Sequence, residues 1–384
     1  MRLLFVTDGR SPISRNWIRY FTEHGDEVSL ASTFACEVDF PVKRLEITPV
    51  AFSAVKRQNA APGSASSRTL GLRTLIRQWL GPLTIPSSAK KLRAFIQKVK
   101  PDLVHAMRIP YEGMLAADAY LGIPLIVSVW GNDFTLHAPS TPLMRHYTHR
   151  VMNVTDALHA DCMRDVRLAR EWGLGTEKST LVVPGNGGIR TDVFYPPEEM
   201  VISAVIINPR GFRVYIQNES FFKSIPFVLA NRPDAKFICA SMAGEAQAIE
   251  WIRDLKIEHA VRLIPPVSHS QMGELFREAQ IVVSSSLHDG TPNTLLEGMA
   301  CGCFPIAGDL ESIREWITHG RNGLLVDPQD PRSIADAILL GLEREDLRRD
   351  AAGLNAKLIA DRAEYQHSMA LVRDFYLSVM RRSA

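Results

Sequence analysis

The sequence predicts an α/β protein built of two doubly wound, Rossmann-like parallel-sheet domains, and three observations carry that expectation. The chain has 384 residues, more than one hydrophobic core usually supports. Short apolar, β-rich runs alternate with amphipathic stretches from one end to the other, the pattern of parallel βαβ units with helices on both sheet faces. The densest turn chemistry, Pro184-Gly185-Asn186-Gly187-Gly188 and then Tyr195-Pro196-Pro197, falls near the middle, where a hinge between two such sheets belongs.

Taken in order, strands are expected at 3–6, 27–31, 103–106, 125–129, 157–160 and 180–183, then at 203–207, 236–240, 261–264, 281–284, 304–307 and 323–326. Each is a short, largely apolar run, fit for burial on both faces. The expected boundaries are an N-terminal domain over 1–185, a hinge over 186–200, a C-terminal domain over 201–358, and a segment over 359–384 that crosses back to the N-terminal domain. Within it, 364–380 has helical spacing, with Leu371, Val372, Phe375, Tyr376 and Met380 available for burial. The stretch 51–88 breaks the alternation: 60–67 is low in complexity, and 68–80 puts Leu72, Leu75, Ile76 and Trp79 at helical spacing with arginines between them. One reading is an amphipathic helix packed on the domain. The other is a basic interfacial helix that docks on an anionic membrane or presents a lipid-linked acceptor.

Apolar residues at 46% and charged residues at 22% describe an ordinary globular chain, and no apolar run reaches the length of a membrane span. The first residues form a short apolar run ending at Asp8-Gly9, without the small-residue cleavage site of a signal peptide. A cytoplasmic protein is expected, peripheral on the inner face of the plasma membrane where 68–80 docks. The five cysteines (Cys36, Cys162, Cys239, Cys301, Cys303) have neither CxxC spacing nor a histidine cluster, so no disulfide framework, zinc site or other metal or cofactor is called for. The net charge of +2 is unevenly spread: no acid separates Glu46 from Asp102, while ten cations from Lys56 to Lys100 fall there. One face of the N-terminal half is expected to be positive.

The chemistry concentrates between Ser284 and Gly302. A buried strand ends, a Gly290-containing turn follows, and a helix begins with Pro292 in its first turn. Ligands of open parallel sheets collect at such strand ends. Amides of Gly290, Thr291, Asn293, Thr294 and Leu295, together with the helix dipole, suit a diphosphate. Asp289 in the loop and Glu297 a turn into the helix both reach that ligand, and carboxylates hydrogen-bond well to hydroxyls, so the pair suits a sugar and a ribose at the two ends of a diphosphate. A plain helix cap competes for Asp289, an exposed helix position for Glu297, and a surface loop role for His288. Gly9 turns the chain after the first strand, where an acceptor or the donor phosphate would approach.

Asp289, seven residues, then Glu297 followed by Gly298-Met299-Ala300-Cys301-Gly302 resembles the E-x7-E motif of the retaining family 4 glycosyltransferases (glycosyl transferases group 1), whose GT-B fold sets two Rossmann-like domains face to face. Segments 101–106, 127–133, 186–194, 209–213, 311–317 and 320–326 are similar to that family too, so the likeness covers nearly all the chain except 51–88. It implies an N-terminal acceptor domain and a C-terminal domain that binds a nucleotide sugar, a UDP-hexose with UDP-glucose first and a GDP-sugar still open. It further implies metal-independent transfer with retained anomeric configuration to a saccharide or lipid-linked glycan in polysaccharide or glycoconjugate synthesis. Three departures shape the roles. Asp289 stands where Glu is usual. Trp130 stands where many members place a histidine, so that histidine's catalytic role either moves to His105 or disappears. The usual Arg and Lys pair that neutralises the leaving diphosphate is represented by Arg210 and Arg213. Val267, after the strand at 261–264, joins the nucleotide-sugar set with Pro292; Trp130, Asp133 and Asn186 join Gly9 in the acceptor or sugar pocket. His105 as a core histidine, Asp133 as a turn or cap residue and Arg210 in a surface salt bridge are the competing structural readings.

Other classes fit less well. The loop after the first strand is Asp8-Gly9-Arg10-Ser11-Pro12, which is not the G-x-G-x-x-G fingerprint of a dinucleotide enzyme. Paired carboxylates also serve hydrolases, but Glu297 is assigned to the ribose. The basic stretch has no nucleic-acid reading motif. A non-catalytic sugar-nucleotide-binding or scaffold protein is the alternative that Trp130 and the absent Lys leave open.

Overall fold

Runs such as Leu125–Val129 and Ile281–Ser284 are buried at every position, as strands covered on both faces must be. In the computed structural model, which describes residues 1–53, 75–198 and 204–383, such strands assemble into two wholly parallel sheets. Two units contain them. One takes in the chain as far as Gly188 and again from Gln366, and the other runs from Ile189 to Tyr365.

The first unit's seven strands are β1 (Arg2–Thr7), β2 (Glu27–Ser32), β3 (Arg44–Ile47), β4 (Leu103–Ala106), β5 (Leu125–Val129), β6 (Ala157–Ala160) and β7 (Ser179–Val182). Their order is β3-β2-β1-β4-β5-β6-β7, so the winding reverses between β1 and β4. The sequence reading missed β3. It is an edge strand of four residues with charged Arg44 and Glu46, exposed or half-buried throughout, and an edge carries little apolar signal.

The second unit's strands are β8 (Val205–Asn208), β9 (Lys236–Cys239), β10 (Val261–Leu263), β11 (Ile281–Ser284), β12 (Phe304–Gly308) and β13 (Leu324–Val326), in the order β10-β9-β8-β11-β12-β13. The period of two is visible in its packing. Ile206, Phe237, Ile281, Val283 and Ile306 enter one core, while Val205, Ile207, Ile238 and Val282 enter another on the opposite face with Leu295, Leu296 and Met299. Gly298 lets the helix Asn293–Ala300 lie against β11, since a Cβ there would stand 3.0 Å from Val282 Cγ1.

The helix Tyr365–Ser383 belongs, from Gln366 on, to the first unit. Its buried stripe is Met369, Val372, Tyr376 and Val379. Leu371 is exposed and Phe375 and Met380 only half-buried, which corrects the expected register. Tyr376, fully buried, stacks on Phe21 at 4.9 Å, and its hydroxyl accepts from Trp17 Nε1 at 3.0 Å. Of the stretch 51–88, residues 54–74 lie outside the described residues, and with them the low-complexity piece, Leu72 and the start of 68–80. Residues 75–80 are helical, but Leu75, Ile76 and Trp79 face outward, so the packed-helix reading of those side chains is corrected. No helix among the described residues is long and apolar enough to cross a membrane.

Candidate active site

A doubly wound sheet opens a crevice where its strand order reverses, at the carboxyl ends of the strands. In the second unit that point lies between β8 and β11, and the chain leaves β8 toward Arg210 and β11 toward Asp289. Asn208, the last residue of β8, receives the Arg210 amide on Oδ1 at 3.1 Å and donates through Nδ2 to Asn218 Oδ1 at 3.1 Å. Arg210 Nη1 then donates to Asp289 Oδ2 at 2.5 Å, with each side chain 13% exposed. Burial pulls the Arg210 guanidinium down and Asp289 pulls it up, and the acid prevails. The pair is sheltered enough for its charges to interact strongly.

Beyond β11 the loop is braced on one side by residues 215–217: Gln217 N donates to Ser285 O and Leu287 N to Tyr215 O, both at 2.8 Å. Helix Asn293–Ala300 then starts at Pro292, which is its N-cap rather than its first helical residue, and no side chain caps it. Asp289 therefore does not cap the helix. Its carboxylate is turned to Arg210. The amides of Asn293 and Thr294 have no carbonyl a turn earlier to bond. Around them Asn293 Oδ1, Thr294 Oγ1, Ser284 Oγ and Ser286 Oγ are buried without a hydrogen-bond partner, and buried polar atoms normally have one. Gly290, Thr291 and Pro292 are buried at the same turn.

Glu297 lies one turn into this helix, 6% exposed, with no hydrogen-bond partner for its carboxylate among the described residues. Burial pushes its carboxyl up to about 7 against the opposing pull of Arg210. The switch point thus gathers Arg210, Asp289, Glu297, and the uncapped tip at Asn293 and Thr294. It does not gather Arg213, which is exposed and whose Nη1 reaches only the neighbouring Phe212 carbonyl at 3.2 Å. Val267, half-buried, follows the edge strand β10, which β9 and β8 separate from β11.

The first unit corrects several assignments. His105 is fully buried, its Nε2 sharing a hydrogen bond with Ser128 Oγ at 2.7 Å and its Nδ1 with the Tyr376 hydroxyl at 2.5 Å. Both ring nitrogens are used inside the core, and burial, then the neighbouring His159, hold the ring neutral. A catalytic His105 does not fit this placement; it is a satisfied core histidine. Asp133 is likewise fully buried and accepts from Arg108 Nε at 2.8 Å and from the Ile109 and Trp130 amides at 3.1 Å. It staples the loops after β4 and β5 together and presents no carboxylate to a sugar pocket. Asn186 Oδ1 accepts from the Gly188 amide at 3.0 Å, closing a turn. Gly9 packs where a Cβ would meet Cys36 Sγ at 2.4 Å and Ser32 Oγ at 3.0 Å. Trp130 is half-buried, with Arg108 5.4 Å from its ring centroid and its Nε1 buried without a partner. Asp161, Cys162 and Asp165 lie close enough together to hold a cation, but Arg164 already supplies positive charge to Asp165 at 2.7 Å, and burial keeps the Cys162 thiol protonated. Sequence reasoning missed Ser312 and Trp316, whose side chains reach the Asp289–Thr291 loop. Only their place in a family-like segment marked them, because the contact spans more than twenty residues.

Comparison with known proteins agrees with this architecture. Residues 10–186 match the family described as glycosyl transferase 4-like domain, and residues 213–344 match glycosyl transferases group 1. The D-inositol 3-phosphate glycosyltransferase of Thermobispora bispora is 24% identical over 253 residues, which are 61% of this chain and 58% of the relative. The alignment with that curated relative thus spans well under two thirds of its length. Among solved structures, sucrose-phosphate synthase from Thermosynechococcus elongatus is similar in fold, with a TM-score of 0.77 at 13% identity over 100% of both chains. The Anabaena protein HepE, solved with UDP-glucose, gives 0.73 at 14% identity over 98% of this chain and 100% of its own. Those structural likenesses give the fold, GT-B, and the two family matches, which between them take in most of the chain, put its first half with the glycosyl transferase 4-like domains and its second with the group 1 glycosyl transferases.

Proposed function

We propose that the second unit binds a nucleotide-sugar donor at its switch point, with UDP-glucose the first choice, and that the chain transfers the hexose to a saccharide or lipid-linked acceptor with retention of anomeric configuration. The observation that carries this reading is the uncapped helix tip at Asn293 and Thr294, set beside Arg210 and one turn before the buried, unpartnered Glu297. Backbone amides and a guanidinium attract a diphosphate. Glu297 faces the ribose hydroxyls, which would supply the hydrogen bonds it lacks. Asp289 faces the hexose once the diphosphate takes over Arg210.

Cleaving the anomeric bond places new negative charge on the departing diphosphate and positive character on the sugar. Fixed donors aimed at that diphosphate lower the barrier. Arg210 and the helix tip supply this charge from the chain itself, which favours a metal-independent reaction. The acceptor hydroxyl attacks from the face the phosphate leaves, and its proton passes to the leaving phosphate oxygen. The HepE structure holds UDP-glucose, and that supports the choice of donor. For the acceptor's surroundings, the outward apolar face near residues 75–83 supports a peripheral membrane contact.

Glu297→Ala is expected to weaken UDP binding about tenfold, through loss of a buried hydrogen-bonding carboxylate, while Asp289→Ala lowers turnover of UDP-glucose more than it lowers UDP affinity. Calorimetric titration with UDP and release of glucose or its transfer to added saccharides measure the two effects. Wild-type affinity and wild-type turnover in both variants would remove the assignment, and a wild-type protein that binds UDP without ever turning over a donor would make it a binding protein.

A further inference from the structure

A three-residue stretch of irregular chain has little rigidity of its own, and Asp289, Gly290 and Thr291 form such a stretch within the connection from β11 to the helix tip. Both of its ends are held by the segment after β12. Ser312, fully buried, donates its hydroxyl to the Asp289 carbonyl at 2.7 Å. Trp316, 5% exposed, donates its indole N–H to Thr291 Oγ1 at 2.9 Å. An indole N–H only donates, so the Thr291 oxygen is the acceptor and its orientation is set.

Trp316 is itself fixed from behind. The Arg362 guanidinium lies 4.4 Å from its ring centroid. The Trp316 carbonyl accepts from Asn322 Nδ2 at 2.9 Å, and Asn322 exchanges hydrogen bonds with fully buried Asn355 at 2.8 and 3.0 Å. Asn355 stands on the helix Glu345–Arg362. A buried polar relay thus runs from that helix through Asn322 and Trp316 to Thr291, two residues before the first helical amide. Groups that stabilise charge act best when their own supports lock them in place.

We infer that Trp316 is a positioning residue for the donor: its indole N–H, with Ser312 at the other end of the loop, sets Thr291 and hence the aim of the helix-tip amides at the donor diphosphate. This rests on the donor reading above. A residue needed only to fill space would be replaced without loss by another aromatic ring; a residue needed for its N–H would not.

Trp316→Phe keeps the ring against Arg362 and removes the donor. Isothermal titration with UDP is expected to show affinity five- to tenfold lower, about the effect of one lost hydrogen bond in a buried site, and the KM for UDP-glucose hydrolysis to rise by a similar factor with a smaller change in kcat. Thr291→Val, which removes the other partner, is expected to weaken UDP binding as well, and the double variant to bind no worse than the weaker single one, because both changes break one contact. Unchanged UDP affinity in Trp316→Phe, or fully additive losses, would overturn the inference. Should Trp316→Phe not fold, Ser312→Ala tests the other anchor on the same scale, and unchanged affinity there overturns the inference equally. Wild-type protein that binds no UDP sinks the donor reading together with this one; wild-type binding with an indifferent Trp316→Phe sinks this one alone.

Discussion

Glu297 shows what burial does to a single acid. Its carboxyl is raised from 4.5 to about 7, so between those values the folded chain holds a proton that the unfolded chain releases. Stability from this group is complete below about pH 4.5, falls as pH rises, and is gone above about pH 7. Glu297→Gln cannot ionise, so the variant's stability relative to wild type is expected to grow across that window by about 3 kcal/mol and to level off at higher pH. Urea unfolding at pH 5 and pH 8 measures it; an equal difference at both would mean that the carboxylate stays ionised throughout. That Glu297 stands one turn into a helix was legible in the sequence because the position depends on short-range facts, a loop followed by a helix and an eight-residue interval from Asp289. His105 and Asp133 were misassigned for the opposite reason. Tyr376 meets His105, and Arg108 meets Asp133, across distances in the chain that no local pattern records.

At the scale of elements, helical spacing was legible and the buried face was not. Around residues 75–80 the polar side turns inward: Gln78 is buried, its carbonyl accepting from Thr141 Oγ1 at 3.2 Å, and the Tyr111 hydroxyl donates to the Arg77 carbonyl at 2.8 Å. Leu75, Ile76, Trp79, Leu80 and Leu83 are left 43 to 62% exposed, an apolar cluster larger than scattered surface residues explain. Exposed Lys90 and Lys91 follow on the helix Ile85–Val99. Apolar insertion beside cations suits an anionic bilayer, where each cation near the surface contributes about 1 kcal/mol. Flotation with phosphatidylglycerol vesicles is expected to carry the protein upward, flotation with phosphatidylcholine alone much less, and Trp79→Glu with Leu83→Glu to abolish the difference. Equal flotation on both vesicle types, or none on either, would reject the contact. The final helix repeats the lesson, since its buried stripe through Met369, Val372, Tyr376 and Val379 shares only two residues with the expected one.

For the molecule as a whole, both sheets reverse their winding beside the first strand of each unit, once three strands are laid down, and in the second that reversal lies where Arg210 meets Asp289. The alternation of strands and helices made the two sheets legible, and the helical spacing after the second sheet suggested the return to the first unit, which the structure begins at Gln366 rather than at 359. Trp17, Phe21 and His105 all meet Tyr376, so the first unit lacks part of its core until residues 366–383 are present. The described residues of the second unit all fall between Ile189 and Tyr365, and the ends of that span meet: Ile189 N donates to Ala363 O at 2.7 Å and Tyr365 N to Ile189 O at 3.0 Å. A unit with its own core and adjoining ends has what independent folding requires. A fragment over 189–365 is therefore expected to unfold cooperatively and to gain stability from UDP, by about 2.7 kcal/mol at a hundred times its dissociation constant, whereas 1–188 alone exposes the Trp17 and Phe21 surface and aggregates. Circular dichroism melts of the two fragments, with and without UDP, decide the matter. A well-folded 1–188 would mean that the Tyr376 contacts are dispensable, and a folded 189–365 indifferent to UDP would remove the nucleotide from this unit.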